Sequence, residues 1–492
     1  MEQKLATFFD CESDAGSAIR ATCLSISYIT CDLNNNFKII EELSGTINSK
    51  FKNSRPFETD AMLAHNIPIK DILNQKLSNG ELVDEWEKAF KKLSDKGTIF
   101  CGYNSFNYDN ILLNNSLFIN LKFPYITSKQ QFDLLPAIRA ASVFAIDPKT
   151  GERALNYDYN DKGNLSFKLQ SMLQANQITT KKEHDSYEDT RGTLNLCKRL
   201  HEKAPDVFNA ALALRRKSDV LPKIKKEDIF CWHEAYFKTT IYCGTYLGES
   251  LFPGWYYLYD LRKDPEEIIK LSYTELKIAL SKSKRWCRTL KSNRAPIIMK
   301  KEFALYDEEY KELGMAEIKK RYNLIKKHRE ELTNKIKSIQ EEIYSEKKEF
   351  DQTELQPEEK IYSLNVTNEE RNLMNQFNLN NNSKERKNIF NRFKRDDVKI
   401  LAEMKVFDNY DKDEFCKIFS LRDYKRIKKR VGNFILDTSD SPSPFTKIPA
   451  QQSRIDTLRV IAEKNQDHEK LNQLEELDTY LENMKNNFEK VS

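Results

Sequence analysis

The segment ATFFDCES, residues 6–13, places two acidic residues directly after an apolar run. Phe8 and Phe9 predict a buried strand, and successive side chains of a strand point to opposite faces. Asp10 and Glu12 should therefore share one face, with Cys11 on the other. Two carboxylates this close repel each other unless the strand end is solvated or a cation lies between them, and a divalent metal is the usual cation at an all-oxygen site. Taken alone, the segment favours the solvated end, because the polar residues SDAG follow at once.

Strand and helix signals alternate through residues 5–200, which predicts an α/β domain. ATCLSISYIT is a second strand next to the first, and GTIFCGYN is a short buried strand that ends in a polar loop. LVDEWEKAFKKL is typical of an amphipathic helix, since Leu82, Trp86, Phe90 and Leu93 fall on one stripe. We also expect helices at YDNILLNNSLF, SFKLQSMLQAN and SYEDTRGTLNLCKRLHEKA.

The predicted secondary structure of the later part of the chain changes twice, first to strands and then to helices. Residues 229–262 are rich in aromatic and β-branched residues, which predicts a small all-β unit whose rings mostly form its core. A long charged helix should span 313–347, and helices should dominate from about residue 360, apart from a polar loop over 375–388. We therefore predict three domains, at about 1–200, 201–355 and 356–492.

Composition narrows the class of protein only in part. Of the 492 residues, 32% are charged and the net charge is +5, a mildly basic balance that is compatible with nucleic acid. The nine cysteines form no C-x-x-C motif, which is typical of free thiols in a reducing compartment. The start of the sequence has no signal-peptide core, and no run of 18 apolar residues occurs, so we expect a cytoplasmic protein with no membrane partner.

Two later segments supply more carboxylates at the ends of elements. In CGYNSFNYDNILL, Asp109 opens a predicted helix, and in EHDSYEDTRGTL, His184 and Asp189 stand near the start of another. Each segment alone is ordinary, because acids are common in the first turn of a helix. Together, an Asp-x-Glu strand, an Asn-x-x-x-Tyr-Asp loop and a His-x-x-x-x-Asp helix start form an ordered set.

This set resembles the DEDD exonuclease superfamily, in the branch that has a catalytic histidine. Further segments resemble exonuclease I, the bacterial single-strand DNA exonuclease, over essentially the full chain. They include QFDLLPAIRAASVFAIDP, NLSFKLQSMLQANQI, HDSYEDTRGTLNLCKRLHEKAPDVFNAAL and PGWYYLYDLRKDPEEIIKLSYTEL. The resemblance implies an RNase H-like exonuclease domain with a mixed sheet, an SH3-like β domain with flanking helices, and a helical C-terminal domain.

By the same resemblance, Asp10, Glu12, Asp109 and Asp189 would hold two Mg²⁺ ions, for which Mn²⁺ could substitute. Asp10 would bridge the two metals, and His184 would accept a proton from the attacking water. The implied activity is that of an exodeoxyribonuclease I-type phosphodiester hydrolase, which degrades single-stranded DNA from the 3′ end to 5′-mononucleotides in DNA repair or recombination.

Other implied contacts concern the DNA and a protein partner. Glu12, Tyr125, Arg139, Lys168 and Lys217 fall at positions where the family contacts DNA, and Lys168 replaces the family's usual arginine, so the bidentate fork is lost. The resemblance also implies a monomer that can dock the acidic, phenylalanine-ended tail of single-strand-binding protein.

Two alternatives stay open at the level of sequence. The first is the same chemistry on RNA, since the acid motifs do not read the 2′-hydroxyl. The second is a protein on the same fold that binds a strand or a partner without cleaving it. All five catalytic positions are filled, which argues against the second alternative.

Overall fold

The computed structural model describes residues 4–42, 46–65, 67–181, 185–281, 286–350 and 355–489. Within these ranges the strands are β1 (Leu5–Ser13), β2 (Cys23–Asp32), β3 (Lys38–Glu42), β4 (Ile47–Asn48), β5 (Ile99–Gly102), β6 (Gln131–Asp133), β7 (Phe230–Ala235), β8 (Thr239–Glu249), β9 (Trp255–Asp260), β10 (Cys287–Lys291) and β11 (Met299–Lys300). Short 3₁₀ segments occur at Leu33–Asn35, Thr127–Lys129, Ser292–Arg294, Lys301–Tyr306 and Pro357–Tyr362.

The first six strands form one mixed sheet. Its strand order is β3-β2-β1-β5-β6, and β4 pairs with β2. The neighbours of β1 are antiparallel β2 and parallel β5, so β1 is central. The pairing with β5 covers only Ala6 to Phe8, and the acidic end of β1 extends beyond it. The predicted first and second strands are therefore confirmed, and the acids lie at a sheet position that is open on one side.

Helices cover both faces of this sheet. In the first part of the chain they are α1 (Thr59–His65), α2 (Ile69–Leu73), α3 (Asn79–Asp95), α4 (Asp109–Ile119), α5 (Leu134–Phe144), α6 (Leu169–Ala175), α7 (Ser186–Lys203), α8 (Pro205–Ala213) and α9 (Lys217–Lys226). Ala6 and Phe8 of β1 pack in a core with α5 and α7. Phe9 and Cys11 pack in a second core with α3 and α4. This alternation confirms that Cys11 and its acidic neighbours belong to opposite faces.

A second sheet follows, antiparallel and five-stranded, with the order β10-β9-β8-β7-β11. The helices here are α10 (Pro265–Ile269), α11 (Tyr273–Ser281) and α12 (Glu308–Phe350). The predicted long helix corresponds to α12, which Gly314 interrupts with a non-helical φ of 73°. A Cβ at Gly248 would lie 2.3 Å from Thr333, so the glycine lets β8 and α12 approach closely.

The remaining described chain is helical. It contains α13 (Asn368–Leu379), α14 (Ser383–Asn391), α15 (Asp396–Asn409), α16 (Lys412–Ile418), α17 (Leu421–Ile435), α18 (Ile448–Lys464) and α19 (His468–Glu489). The prediction of a polar loop over 375–388 was wrong, because α13 and α14 leave only three residues between them. Phe377 is fully buried, and the side chain of Asn382 caps α14 by accepting from the N–H groups of Lys384 and Glu385.

The hydrophobic cores cross both predicted domain boundaries. One core joins the mixed sheet, the antiparallel sheet and α12. Another joins Phe51, Phe57 and Phe118 of the first part of the chain to α13–α19. The predicted fold class is confirmed as a mixed α/β sheet followed by further β and helical parts. Across the ranges given above, no helix combines the length and apolarity needed to cross a lipid bilayer.

Candidate active site

Three carboxylates meet on the face of β1 that lies under α7. The ligand oxygens of Asp10, Glu12 and Asp189 all lie within 4.8 Å of one another, and Asp189 is the most buried of the three residues. Oxygen atoms at this spacing suit a hard divalent cation such as Mg²⁺ or Mn²⁺. The structure therefore brings together three of the four acids that the sequence predicts as metal ligands.

Hydroxyl groups on β2 hold α7 over this face. Asp10 is paired with Ser27 and Glu12 with Ser25, so the two serines line the same side of the sheet. The Ser27 hydroxyl donates to the carbonyl of Ser186 at 2.6 Å and lies 2.8 Å from the Thr190 hydroxyl. These contacts fix the first turn of α7, which carries Asp189.

Asp109 reaches the same strand from its open edge. It is the first residue of α4 and is buried, and its carboxylate accepts from its own N–H and from that of Cys11. Cys11 lies between Asp10 and Glu12, so Asp109 is adjacent to the acidic pair although it lies outside the group of three. Burial raises the pKa of Asp109 to about 7, and the backbone donors oppose this shift.

The electrostatics of the site favour a bound cation. Burial raises the pKa of Asp10 well above its usual range, and the charges of Asp109, Glu12 and Asp189 raise it further. A cation between these carboxylates would relieve the repulsion that causes the shift. The residues present therefore fit the metal that the sequence resemblance implies.

Gln170 is a site residue that the sequence did not reveal. Its Nε2 donates to Oδ1 of Asp189 at 2.8 Å, from the first turn of α6. An amide donor of this kind holds a carboxylate in one orientation. No spacing rule connects the two residues, and only the packing of α6 against α7 brings them together.

Asp133 and Tyr108 support the segment that leads to Asp109. The buried carboxylate of Asp133 accepts from the N–H groups of Asn104 at 2.8 Å and Phe106 at 3.0 Å. The Tyr108 hydroxyl is hydrogen-bonded to the Ser13 hydroxyl and donates to the carbonyl of Ala15. Ser13 follows Glu12 and Tyr108 precedes Asp109, so this tyrosine links two segments that carry acids.

Replacing Tyr108 by phenylalanine should weaken metal binding about tenfold, because the link between the two segments is lost while the ring remains. Calorimetric titration of the protein with Mn²⁺ measures this. Tyr159→Phe, which removes a hydroxyl from a 65% exposed side chain, is the matched control. Equal Mn²⁺ affinities for the two variants would mean that the Tyr108 hydroxyl has no part in positioning the acids.

The predicted DNA-contact residues occupy several places around the fold. Lys168 is exposed at the N-cap of α6, two residues before Gln170. The Arg139 guanidinium lies 5.5 Å from the centre of the Phe167 ring, next to Lys168. Tyr125 is half-buried against Phe123, with ring centres 5.8 Å apart.

Lys217 is the first residue of α9, and its side chain lies over Gly254, where a Cβ would be 2.8 Å from Cε of the lysine. His184 lies outside the described residues. Contact of these residues with DNA remains a prediction.

His233 on β7 lies close to Arg139 and gives the fold a pH dependence. Burial lowers the pKa of His233 to about 4, and the charge of Arg139 adds to this. Since an unfolded histidine has a pKa of about 6.5, the unfolded chain takes up a proton between these values while the folded chain does not. Stability contributed by neutral His233 is therefore present above about pH 6.5 and is lost as the pH falls towards 4.

Acidification from about pH 7.5 to about pH 5 should lower the free energy of unfolding by about 1–2 kcal/mol through His233. This figure allows for the partial solvent exposure of the side chain. Denaturant unfolding of the native protein and of His233→Gln at both pH values measures it. The variant should lose less stability on acidification than the native protein. Equal losses would show that His233 is protonated in the folded state.

Comparison with known proteins adds two findings, and no protein-family model matches the chain. Exodeoxyribonuclease I of Buchnera aphidicola is 27% identical over 166 residues, which are 33% of this chain and 37% of that protein. The Escherichia coli exodeoxyribonuclease I is 29% identical over 131 residues, 26% of each chain. The matched stretches thus span well under two thirds of these curated relatives.

Solved structures match over nearly the whole chain. Exonuclease I from Methylocaldum szegediense has a TM-score of 0.79 at 17% identity, covering 98% of this chain and 100% of that one. E. coli exonuclease I in complex with a dT13 oligonucleotide has a TM-score of 0.74 at 18% identity, with the same coverage. An SSB/exonuclease I structure with an inhibitor has a TM-score of 0.75 at 17% identity, again covering 98% and 100% of the two chains. The resemblance to exonuclease I is confirmed, and the fold of this chain is that of exonuclease I throughout.

Proposed function

We propose that this protein is a metal-dependent 3′→5′ exodeoxyribonuclease that degrades single-stranded DNA to 5′-mononucleotides, with a role in DNA repair or recombination. One observation carries the proposal: Asp10, Glu12 and Asp189 converge within 4.8 Å on the exonuclease I fold. The reaction class follows from the donor set, since phosphodiester hydrolysis at an all-carboxylate site is typical of two bound metal ions.

The residues of the chain have separate tasks in this mechanism. Asp10, Glu12, Asp109 and Asp189 would together hold two Mg²⁺ or Mn²⁺ ions. When bound, the metals activate the attacking water and neutralise charge on the phosphate oxygens. Gln170 keeps Asp189 oriented. His184, outside the described residues, would accept the proton of the water, and its usual pKa suits this work near neutral pH.

Basic and aromatic side chains would bind the DNA strand and position its 3′ end at these acids. Lys168 caps α6, whose Gln170 donates to Asp189, so it lies on an element that contacts the acidic group and would bind a phosphate. Arg139, stacked on Phe167, would bind another phosphate. Tyr125 and Lys217 would contact more distant nucleotides, and Glu12 would also touch the 3′-terminal nucleotide.

The same proposal includes a monomeric state, a cytoplasmic location and docking of the tail of single-strand-binding protein. The SSB/exonuclease I structure on this fold supports the partner. RNA cleavage and strand binding without cleavage are the competing functions.

A chelator-sensitive nuclease assay on end-labelled DNA and RNA oligomers tests the proposal. Purified protein with Mg²⁺ should shorten single-stranded DNA from its 3′ end, and excess chelator should stop the reaction. His184→Ala should lower turnover by about 10²–10⁴-fold, the range for a lost general base, with DNA affinity little changed. His201→Ala, which removes a histidine from the far end of α7, is the control.

Each unfavourable outcome has its own meaning. Preferred cleavage of RNA would identify an exoribonuclease. Metal-independent binding without cleavage would identify a strand-binding protein. A collapse of DNA affinity in His184→Ala, with unchanged turnover per bound complex, would make His184 a packing residue.

A further inference from the structure

The loop of residues 103–108 connects β5 to α4 and has an irregular backbone whose polar groups need partners. Asn104 has a left-handed φ of 63°, and the Asn107 side chain donates to Oδ1 of Asn104 at 2.8 Å. The Asp133 carboxylate accepts from the N–H groups of Asn104 and Phe106. An ionised carboxylate accepts hydrogen bonds and donates none, so the carbonyl groups of this loop need donors from elsewhere.

Arg294 supplies such a donor from the 3₁₀ segment after β10. Its Nη1 donates to the Phe106 carbonyl and to Oδ1 of Asn107 at 3.1 Å. Phe106 is therefore held through its N–H by Asp133 and through its carbonyl by Arg294. A guanidinium carries several N–H donors in one rigid plane, so it fixes the direction of its acceptors better than a lysine does.

The backbone around Arg294 is itself fixed. The Ser292 N–H donates to the carbonyl of Gly254 at 2.9 Å, and Ser292 and Ala295 are both buried. Ala295 has a left-handed φ of 41°, which is strained for a residue that carries a Cβ. Strain of this kind persists only where the surrounding structure holds it, and it is found most often at functional sites. The exposed side chain of Arg294 therefore starts from a firmly placed backbone.

Asp109 is the predicted metal ligand that depends most on this loop. It follows Asn107 by two residues, and its carboxylate accepts from the N–H of Cys11 and from its own N–H. The group of three carboxylates lies instead on β1 and on the first turn of α7, which hydroxyl groups of β2 fix. A shift of Phe106 and Asn107 would therefore move Asp109 relative to β1 and leave the other three acids in place.

We propose that Arg294 is a positioning residue for Asp109, so that binding of a second metal ion depends on a residue that follows the second sheet's strand β10. The inference rests on the proposed nuclease function. The group of three carboxylates would bind a first ion without Arg294. Two divalent ions carry four positive charges, and Asp109 supplies the fourth carboxylate that balances them. Arg294 acts on this carboxylate only through the loop, and it contacts no metal itself.

Calorimetric titration with Mn²⁺ and electron paramagnetic resonance, both without DNA, test this role. Two Mn²⁺ ions about 4 Å apart give a spin-coupled spectrum. Arg294→Met keeps the aliphatic stem and should weaken binding of the second Mn²⁺ about tenfold, with the first nearly unchanged, because a group that orients a ligand is lost. The spin-coupled signal at limiting Mn²⁺ should fall with it. Arg294→Lys should restore part of the affinity, since one donor cation returns.

Two further variants complete the test. Lys291→Met is the control, because it removes a nearby cation that lies 4.0 Å from the centre of the Trp255 ring. Asn107→Ala removes one acceptor of Arg294 without changing any charge, and it should also weaken the second Mn²⁺. If Arg294→Met does not fold, Asn107→Ala decides the question.

Unchanged affinities for both Mn²⁺ ions in Arg294→Met would overturn the proposal. Weaker oligonucleotide binding would then identify Arg294 as a DNA contact, and a lower melting temperature alone would identify it as a structural residue. Equal weakening of both Mn²⁺ ions would also overturn the proposal, since it would show a general loss of the site. If the native protein binds no Mn²⁺ and cleaves no oligonucleotide, the nuclease proposal itself fails.

Discussion

Asp10→Asn should lower the rate of DNA hydrolysis by at least about 10³-fold, because it removes one of the carboxylates that would hold the metal ions. The same change should stabilise the metal-free protein, since three other acidic side chains repel the charge of Asp10. Saturating Mn²⁺ should then raise the melting temperature of the native protein more than that of the variant. Nuclease assays and thermal unfolding, each with chelator or Mn²⁺, give the two readouts.

Glu188→Gln is the matched control for this prediction. It removes one negative charge from the residue next to Asp189, but Glu188 lies outside the three-carboxylate group and accepts from the N–H of Lys181. It should keep both cleavage and the stabilisation by Mn²⁺. Cleavage by Asp10→Asn at the native rate, in protein free of host nuclease, would show that the metal site has been assigned to the wrong residues.

Asp408→Ala should lower the free energy of unfolding by about 3–5 kcal/mol, the cost of leaving buried charges without their partner. Asp408 on α15 is buried against Lys52 and Arg55 from the first part of the chain, and it accepts from the N–H of Ser54 at 3.0 Å. Burial lowers the pKa of Lys52 to about 8, and Asp408 opposes this shift. The destabilisation should therefore be smaller at about pH 9, where Lys52 is largely neutral, than at about pH 7.

Denaturant unfolding at the two pH values measures the effect of Asp408→Ala. Asp440→Ala, at an exposed loop residue, should change stability by less than about 0.5 kcal/mol. If Asp408→Ala behaves like this control, the ionic group between the first part of the chain and α15 contributes little to holding them together.

Local patterns in the sequence were sufficient for much of the fold and for part of the site. The alternation of apolar and acidic residues in β1 predicts which side chains share a face, and the pairing of Asp10 with Ser27 agrees with it. The acid-rich start of α7 similarly predicts Asp189 at a helix start. Both predictions depend on spacing within one element, where side-chain direction is fixed by backbone geometry.

The parts that sequence reasoning missed depend on contacts between elements. The side chains of Gln170 and Asp133 form hydrogen bonds with residues of other helices and loops. Neither position is identified by a periodic pattern in the sequence. The asparagine-rich stretch over 375–388 was predicted as a loop from composition, but burial of Phe377 and capping by Asn382 made it helical. Tertiary packing outweighed local propensity at that place.

The hydrogen bonds of Arg294 to Phe106 and Asn107 show that the candidate active site depends on residues from the second half of the chain. A shorter chain ending at residue 226 would still contain every predicted metal ligand, so it would look like a self-sufficient minimal nuclease. It would lack Arg294, which donates to Phe106 and Asn107 from the 3₁₀ segment after β10, and it would expose the core shared with β8 and α12. All the predicted metal ligands lie in the first 200 residues, but the segment before Asp109 also receives hydrogen bonds from Arg294, which comes much later in the chain. Moving the predicted metal ligands into another protein would therefore require that β8, α12 and Arg294 be moved with them.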